Sequence, residues 1–362
     1  MVSYWLLFIF PAYLAIKFIK PSNYYSNKKD FSQWKIEWKI TFVILTLMIG
    51  LRHQVGGDWN QYLEMLDSYS DNPSSTYEFG FQDPAFVFFN WLAAKTGLGI
   101  YLVNLLSAIF FSWGLIVFCQ TQPRQWLAMV VAVPYLITVV AMGYTRQGVA
   151  IGIAMLGMIA LERGSILRFT LFIGLAALFH KSAIILLPMA VIANTKNRIF
   201  TFLWVGVAFL LLYFLMVQEA LTFLLSGYLE DAMQSSGAAI RVSMNALPAV
   251  LFLIFKKRFK LTSEQYSFWL WMSWSALFLV MLLMVSPSST AVDRIALYWI
   301  PVQLFVLSRL PNALGDLNGR NYLWVMLVVF YSAAVHFVWL FYADTAYAWL
   351  PYKFFPLIWL WQ

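Results

Sequence analysis

Long apolar runs separated by short polar loops recur along the whole chain, and they limit what it can fold into. Hydrophobic residues make up 62% of the 362 residues, and charged residues only 11%. A soluble domain carries about 25% charged residues, so most of the surface of this chain must face lipid. The composition also excludes a disordered chain and, because Cys119 is the only cysteine, a disulfide scaffold.

The apolar runs predict an all-α polytopic membrane protein that forms a single domain over residues 1–362. About 20 apolar residues are needed to cross a lipid core of roughly 30 Å, and about 12 runs qualify when short ones are included. Segment 84–98 is different, and we expect it to form a re-entrant or interfacial helix. The predicted spans are 3–19, 40–51, 99–119, 127–144, 146–161, 168–179, 182–193, 199–217, 242–255, 266–286, 294–308 and 323–341.

The distribution of basic residues predicts the orientation. If segment 84–98 does not cross, 17 of the 24 Lys and Arg residues lie on one face, which the positive-inside rule makes cytoplasmic. The outer face has longer loops, and we expect loops 52–98 and 218–241 to carry or border a functional site. The seven outer cations are Arg52, Lys95, Arg146, Lys181, Arg241, Arg294 and Lys353.

The first polar motif, residues 52–62, follows the second predicted span and turns at Gly56-Gly57. It leads into an amphipathic helix that we expect at the membrane interface. Arg52, His53 and the glycine amides predict an anion-accepting turn at a helix start, although Arg52 could instead snorkel to the interface. Asp58 is either an N-cap of the amphipathic helix or a functional carboxylate.

Three arginines, Arg146, Arg241 and Arg294, stand at the outer starts of predicted inward-going spans. Guanidinium groups gathered at helix N-termini suit a phosphate or diphosphate, because the helix dipole adds fixed positive charge. Asp293 leaves an alternative open for its neighbour, since Asp293 and Arg294 could form a private ion pair.

His180 and Lys181 lie between two predicted spans that are each about 18 Å long, too short to cross a bilayer untilted. We therefore expect this tip to lie within protein or a wet cavity, where ionisable groups are usually functional. A neutral His180 near a cation suits a general base or a hydrogen-bond donor.

The aromatic stretch 342–353 near the C-terminus has a simpler interpretation. Tyr and Trp commonly form belts at membrane interfaces, so we expect this stretch to anchor the chain there. Stacking on sugar rings is the alternative.

Taken in order, these motifs resemble the EpsG/Wzy family of bacterial polysaccharide polymerases. The resemblance covers about residues 40–300 and departs at Gly56-Gly57-Asp58, where many relatives have Gly-Thr/Ser-Asp. The matching motifs are Arg52…Gly57-Asp58…Tyr62, Arg146-Gln147, Phe179-His180-Lys181-Ser182-Ala183 and Asp293-Arg294…Tyr298.

The resemblance implies a GT-C-like glycosyltransferase of the bacterial cytoplasmic (inner) membrane, with its site on the periplasmic or outer side. Members join undecaprenyl-diphosphate-linked oligosaccharide repeat units of O-antigen, capsule or exopolysaccharide, so donor and acceptor are both lipid-linked. A chain-length regulator and a flippase are further expected partners, and nucleic acid is not. The sequence has no nucleotide-binding or paired-histidine metal motif, so we expect no metal or other cofactor.

The resemblance also implies roles for particular residues. His180 is the predicted base that activates the acceptor hydroxyl, and Asp58 is the alternative base. Arg146 and Arg294 are the predicted diphosphate clamp, with Arg52 assisting. The other predicted substrate-binding residues are His53, Gln147, Lys181, Arg241, Asp293 and Tyr298.

Two other functions remain open from the sequence. An O-antigen ligase would use the same donor and similar arginines but a different acceptor. A lipid-linked oligosaccharide flippase would also need buried cations, but it should show an internal two-fold repeat, and none is convincing.

Overall fold

The computed structural model describes residues 1–21, 34–70, 83–193, 198–212 and 237–359. Within these ranges every regular element is a helix, apart from one isolated bridge between Arg52 and Phe354, which confirms the all-α prediction. The end of the predicted span 199–217 and most of the predicted outer loop 218–241 lie outside the described residues, as does the stretch 71–82 of loop 52–98.

Most of the apolar runs form helices, because runs longer than ten residues that are bounded by polar, Gly or Pro positions favour a helix. The predicted span 182–193 instead forms a 3₁₀ turn followed by a six-residue helix. The helix that begins at Gln125 continues beyond Ala132 as a π-helix, Val133–Ala141, and short 3₁₀ turns lie at Lys181–Leu186, Lys256–Arg258, Leu297–Trp299 and Ala346–Ala348. The helices are α1 (Val2–Lys17), α2 (Ile36–Gly50), α3 (Trp59–Ser70), α4 (Pro84–Thr96), α5 (Gly99–Gln120), α6 (Gln125–Ala132), α7 (Thr145–Glu162), α8 (Ile166–Ala177), α9 (Pro188–Ala193), α10 (Arg198–Leu212), α11 (Ala238–Phe255), α12 (Ser263–Val285), α13 (Ser289–Ala296), α14 (Ile300–Leu314), α15 (Tyr322–Tyr342) and α16 (Phe355–Trp359).

Five helices among the described residues are long and apolar enough to cross a membrane. The remaining predicted spans correspond to helices that are shorter or more polar, so the total of about 12 stays a prediction. The five are Gly99–Gln120, Ala238–Arg258, Ser263–Val285, Ser289–Leu314 and Tyr322–Tyr342.

Segment 84–98 contains α4, a helix of 13 residues. At 1.5 Å per residue it is about 20 Å long, too short to cross the lipid core unaided. Phe86, Phe89 and Ala93 are buried, and the helix packs against α3 and α5. Its length fits the prediction of a segment that does not cross, and its position relative to lipid stays a prediction.

Helix α7 is the centre of the bundle, because every one of its residues except Arg146 is buried. It packs most extensively against α8 and α5. A Cβ atom on Gly114 of α5 would lie 1.9 Å from the carbonyl oxygen of Gly152 on α7, so only glycine permits this approach. Small residues commonly bring membrane helices together in this way. The tight core fixes the start of α7, where Arg146 lies.

The chain after α15 folds back into the protein. Trp349 is buried, and its indole Nε1 donates a hydrogen bond of 2.8 Å to the carbonyl of Thr138. A Cβ atom on Gly143 would lie 2.1 Å from Cζ2 of Trp349, so glycine makes room for the ring. The prediction that this stretch anchors at the interface is therefore wrong for Trp349.

Candidate active site

In the part of the chain that the structure describes, three pairs of arginine and aspartate lie at the ends of helices, at one end of the bundle. Each pair joins residues that are at least 52 positions apart in the chain. The two closest pairs are at hydrogen-bond distance, and the third is wider. The distances are 2.9 Å for Arg146–Asp83, 2.7 Å for Arg241–Asp293 and 3.9 Å for Arg294–Asp58.

Asp83 connects three segments of the chain. Its Oδ2 accepts a hydrogen bond of 2.9 Å from Nη1 of Arg146, and its Oδ1 accepts one of 3.2 Å from the backbone N–H of Lys181. Its backbone carbonyl accepts the amides of Phe86 and Val87 in the first turn of α4. The sequence prediction gave Asp83 no role, and its only local signal is the Asp-Pro step that precedes a helix.

Arg241 and Asp293 join α11 to α13. Nε of Arg241 donates to both carboxylate oxygens of Asp293, at 2.9 and 3.1 Å, and Nη2 donates to Oδ2 at 2.7 Å. Forked pairs of this kind fix geometry as well as charge. The carboxylate of Asp293 is therefore shared with another helix, and the alternative of a private pair with its neighbour Arg294 is wrong.

Arg294 is the most accessible of these three arginines, with 38% of its side chain exposed. Its guanidinium stacks 4.3 Å above the ring of Tyr144 and lies 3.9 Å from Oδ2 of Asp58, beyond hydrogen-bond range. The buried side chain of Gln147 donates to the backbone carbonyl of Arg294 and so fixes the main chain there. The guanidinium is thus oriented by an aromatic ring while remaining accessible.

Asp58 lies at the start of α3, and 19% of its side chain is exposed. Burial raises the pKa of this carboxyl group, while the guanidinium groups of Arg294 and Arg146 act in the opposite direction. Asp58 is therefore a carboxyl group under the influence of two cations, and solvent or a ligand can reach it.

His180 is half-buried at the tip between α8 and the following 3₁₀ turn. Its Nδ1 contacts Oγ of Ser182, which in turn donates a hydrogen bond of 3.2 Å to the hydroxyl of Tyr298. Burial, together with Arg146, Arg294 and Lys181, lowers the pKa of His180 to about 3. The imidazole is neutral, and proton uptake by it is unfavourable among these cations.

A family model described as the EpsG family matches residues 35–354, which is most of the chain. The chain belongs to the EpsG family. No curated protein and no solved structure matches it. Membership confirms the resemblance in the sequence and indicates a membrane protein of polysaccharide-polymerase type.

In this EpsG-family protein, Arg52 does not face the three pairs as part of an anion-accepting turn. It is 1% exposed, and it donates to the carbonyls of Ile49 and Val55, to Oδ1 of Asn104 at 3.1 Å and to Oγ1 of Thr145 at 2.7 Å. Its guanidinium thus satisfies backbone carbonyls at the end of α2 and holds α5 and α7 together. Arg52 was predicted to assist in binding substrate, but its guanidinium is buried and its hydrogen bonds go to other parts of the protein.

The rest of the predicted turn is also engaged within the protein. The amide of Gly56 donates a hydrogen bond of 2.8 Å to the carbonyl of Ala348, and His53 contacts the hydroxyl of Tyr101 through Nδ1. Burial lowers the pKa of His53, and the positive charge of Lys353 lowers it further. The C-terminal segment therefore occupies one of the two glycine amides that the sequence assigned to a ligand.

The residues that do meet form a compact set of charges. Among the described residues, four cations, namely Arg146, Lys181, Arg241 and Arg294, face three carboxylates, namely Asp58, Asp83 and Asp293, and the formal net charge of these seven is +1. A diphosphate brings at least two negative charges, and it can compete for Arg294 because the contact of Arg294 with Asp58 is long. The EpsG-family protein thus combines an accessible guanidinium with a carboxylate beside it.

Proposed function

We propose that this chain is a polysaccharide polymerase, a GT-C-like glycosyltransferase with about 12 spans that joins undecaprenyl-diphosphate-linked oligosaccharide repeat units. The proposal places the reaction on the periplasmic or outer face of the bacterial cytoplasmic membrane. Two findings support it: membership of the EpsG family, and the cluster of arginines and carboxylates at one end of the bundle.

The observation that carries the proposal is the position of Arg294 beside Asp58. The guanidinium has the charge and the accessibility to take a diphosphate, and the carboxylate 3.9 Å away has the chemistry of a general base. A site that only bound an anion would have no use for a carboxylate at that distance, because like charges repel.

The proposed step breaks one bond and forms one bond. The hydroxyl oxygen of the acceptor sugar attacks the anomeric carbon of the donor, and the bond from that carbon to the diphosphate oxygen breaks with its electron pair. The hydroxyl proton passes to the carboxylate of Asp58. Arg294, Arg146 and Lys181 offset the charge that develops on the leaving diphosphate.

Asp58 fits the role of base better than His180. A base ends the step protonated, and Asp58 becomes a neutral acid, whereas His180 would become a cation beside Arg146, Arg294 and Lys181. We assign His180 a positioning role through Ser182 and Tyr298. In the same proposal Arg241 and Asp293 hold α11 to α13, and Gln147 fixes the backbone at Arg294.

The proposed location on the outer face rests on the distribution of cations. Arg146, Lys181, Arg241 and Arg294 belong to the seven that the positive-inside rule assigns to the outer face. Arg124, one of the seventeen at the opposite face, instead donates to the carbonyls of Gly319 and Arg320. The separate contacts of Arg124 support the proposed topology.

The proposal is tested by deleting the gene in its host and restoring it with variants. Arg294→Ala should leave single repeat units on the cell surface without polymer, and Arg294→Lys should restore only short chains, because a lysine cannot stack and fork like arginine. Arg168→Ala is the matched control, since Arg168 is exposed at the start of α8. The measurement is the ladder of polysaccharide lengths on a gel, normalised to the amount of membrane-inserted protein.

The same deletion separates the alternatives. Loss of all surface saccharide would contradict the polymerase and favour a flippase. Polymer that accumulates on its lipid carrier would contradict it in favour of a ligase.

A further inference from the structure

Asp83 is a buried residue whose carboxylate has no role in the proposed reaction. Its φ angle of +53° lies in the left-handed region, which a residue other than glycine adopts only where its surroundings hold it there. Both of its side-chain oxygens are engaged, one by the guanidinium of Arg146 and one by the backbone N–H of Lys181. These contacts go beyond helix capping, because they connect Asp83 to two other segments of the chain.

The two partners of Asp83 belong to separate parts of the site. Arg146 opens the buried helix α7, and Lys181 follows His180 on the tip after α8. A second contact strengthens the same connection, because the amide of Ala85 donates to the carbonyl of Leu178 at 2.9 Å. The start of α4 is therefore fastened to both neighbours.

We infer that Asp83 is a positioning residue, which holds the Arg146 guanidinium and the His180–Lys181 tip at a fixed spacing across the site. This inference rests on the proposed function and assigns a role that neither the motifs nor family membership supplied. The carboxylate also compensates the charge of Arg146, so that the arginine meets a diphosphate in one orientation and is not drawn fully onto it in the ground state.

A positioning role predicts a particular split in the kinetics. Asp83→Asn keeps Oδ1 to accept the Lys181 amide but loses the anionic partner of Arg146. In purified protein it should lower kcat about 10- to 100-fold, the size of effect that a misplacement near 1 Å produces. The KM for the lipid-linked donor should stay the same or fall, because the freed charge of Arg146 attracts the diphosphate. Asp83→Glu keeps the charge at the wrong length and should also lower kcat.

Asp67→Asn is the control, because Asp67 is an exposed carboxylate on α3. It should leave both kinetic constants unchanged. If Asp83→Asn has the kcat of the wild type, or if its activity falls only as far as its folded fraction does, Asp83 is a fold residue and the inference is wrong.

A measurement without turnover keeps this inference separate from the proposed function. Hydrogen exchange followed by mass spectrometry should show faster exchange over residues 178–184 in Asp83→Ala than in Asp67→Asn. Unchanged exchange there would overturn the inference even if polymerisation is observed. Faster exchange in a protein whose wild type makes no polymer would overturn the proposed function and leave the positioning of the tip intact.

Discussion

Arg241 and Asp293 form a forked ion pair that fixes the start of α11 against α13, with Nη2 and Oδ2 only 2.7 Å apart. Both side chains are largely buried, so water would solvate either charge poorly if its partner were removed. Because Asp293 precedes Arg294, the pair also sets where Arg294 emerges beside Asp58 and Tyr144. The tightest ionic contact of the cluster therefore supports its most accessible cation.

Removing one partner of this pair should destabilise the protein strongly. Asp293→Ala leaves the Arg241 guanidinium without its carboxylate, and breaking a buried pair costs about 3–5 kcal/mol. The double variant Arg241→Leu/Asp293→Leu should recover much of that loss, because it leaves no uncompensated charge. Thermal unfolding in detergent measures both. A double variant less stable than Asp293→Ala would contradict this account of the pair.

The pH dependence of turnover tests Asp58 as the base. Burial is the largest influence on this group and raises its pKa, so the acid limb of the rate profile should lie above the range in which an ordinary aspartate titrates. The rate should rise with pH through that limb, because the base must be ionised. Arg294→Gln removes a cation that lowers this pKa, so the limb of its residual activity should move to higher pH. A profile unchanged between wild type and Arg294→Gln would exclude Asp58 as the group observed.

The pH dependence of stability tests the neutral state of His180. Its pKa in the folded protein, about 3, is below that of an unfolded histidine, about 6.5. As the pH falls through 6.5 the unfolded chain binds a proton that the folded chain does not, so stability is lost progressively down to the lower value. His180→Gln should lose stability less steeply between pH 6.5 and pH 4. Equal slopes for the two proteins would show that His180 is protonated in the fold.

The contact of Trp349 with Gly143 predicts a steric effect. Gly143→Ala places a Cβ atom 2.1 Å from the indole, and overpacking of this kind costs about 1–3 kcal/mol. The thermal midpoint should fall, and the combination with Trp349→Phe should recover part of it because the smaller ring leaves room. Gly174→Ala is the control, since no atom lies within 4 Å of a Cβ there. If Gly143→Ala behaves like this control, the C-terminal segment does not pack as described.

Much of the fold could be predicted because lipid-facing helices appear in the sequence as long apolar runs. The predicted spans 99–119 and 323–341 agree closely with Gly99–Gln120 and Tyr322–Tyr342. Short predicted spans such as 168–179 and 182–193 were harder to count, because a length near 18 Å fits either a tilted crossing or a segment held within protein.

The members of the site were partly predictable, and their pairing was not. The positions of Arg146 and Arg241 at helix starts were visible in the sequence, since orientation follows from the spans and the basic loops. The same prediction was wrong for Arg294, which lies in the last turn of α13. Which carboxylate each arginine contacts depends on how helices pack, so Asp83 and the Arg241–Asp293 pair were missed. The burial of Arg52 was missed for the same reason, because nothing in the neighbouring sequence shows that its guanidinium contacts Asn104 and Thr145.

The central claim is that this protein forms glycosidic bonds between lipid-linked repeat units, and reconstitution tests it most directly. In this experiment the purified protein in liposomes is supplied with lipid-linked repeat units of one kind, isolated from the host, and with no nucleotide sugar. The account predicts a ladder of polymer lengths, with one polyprenyl diphosphate released for each bond formed, and neither product from Arg294→Ala. Repeat units that remain single, with no diphosphate lipid released by folded wild-type protein, would contradict it.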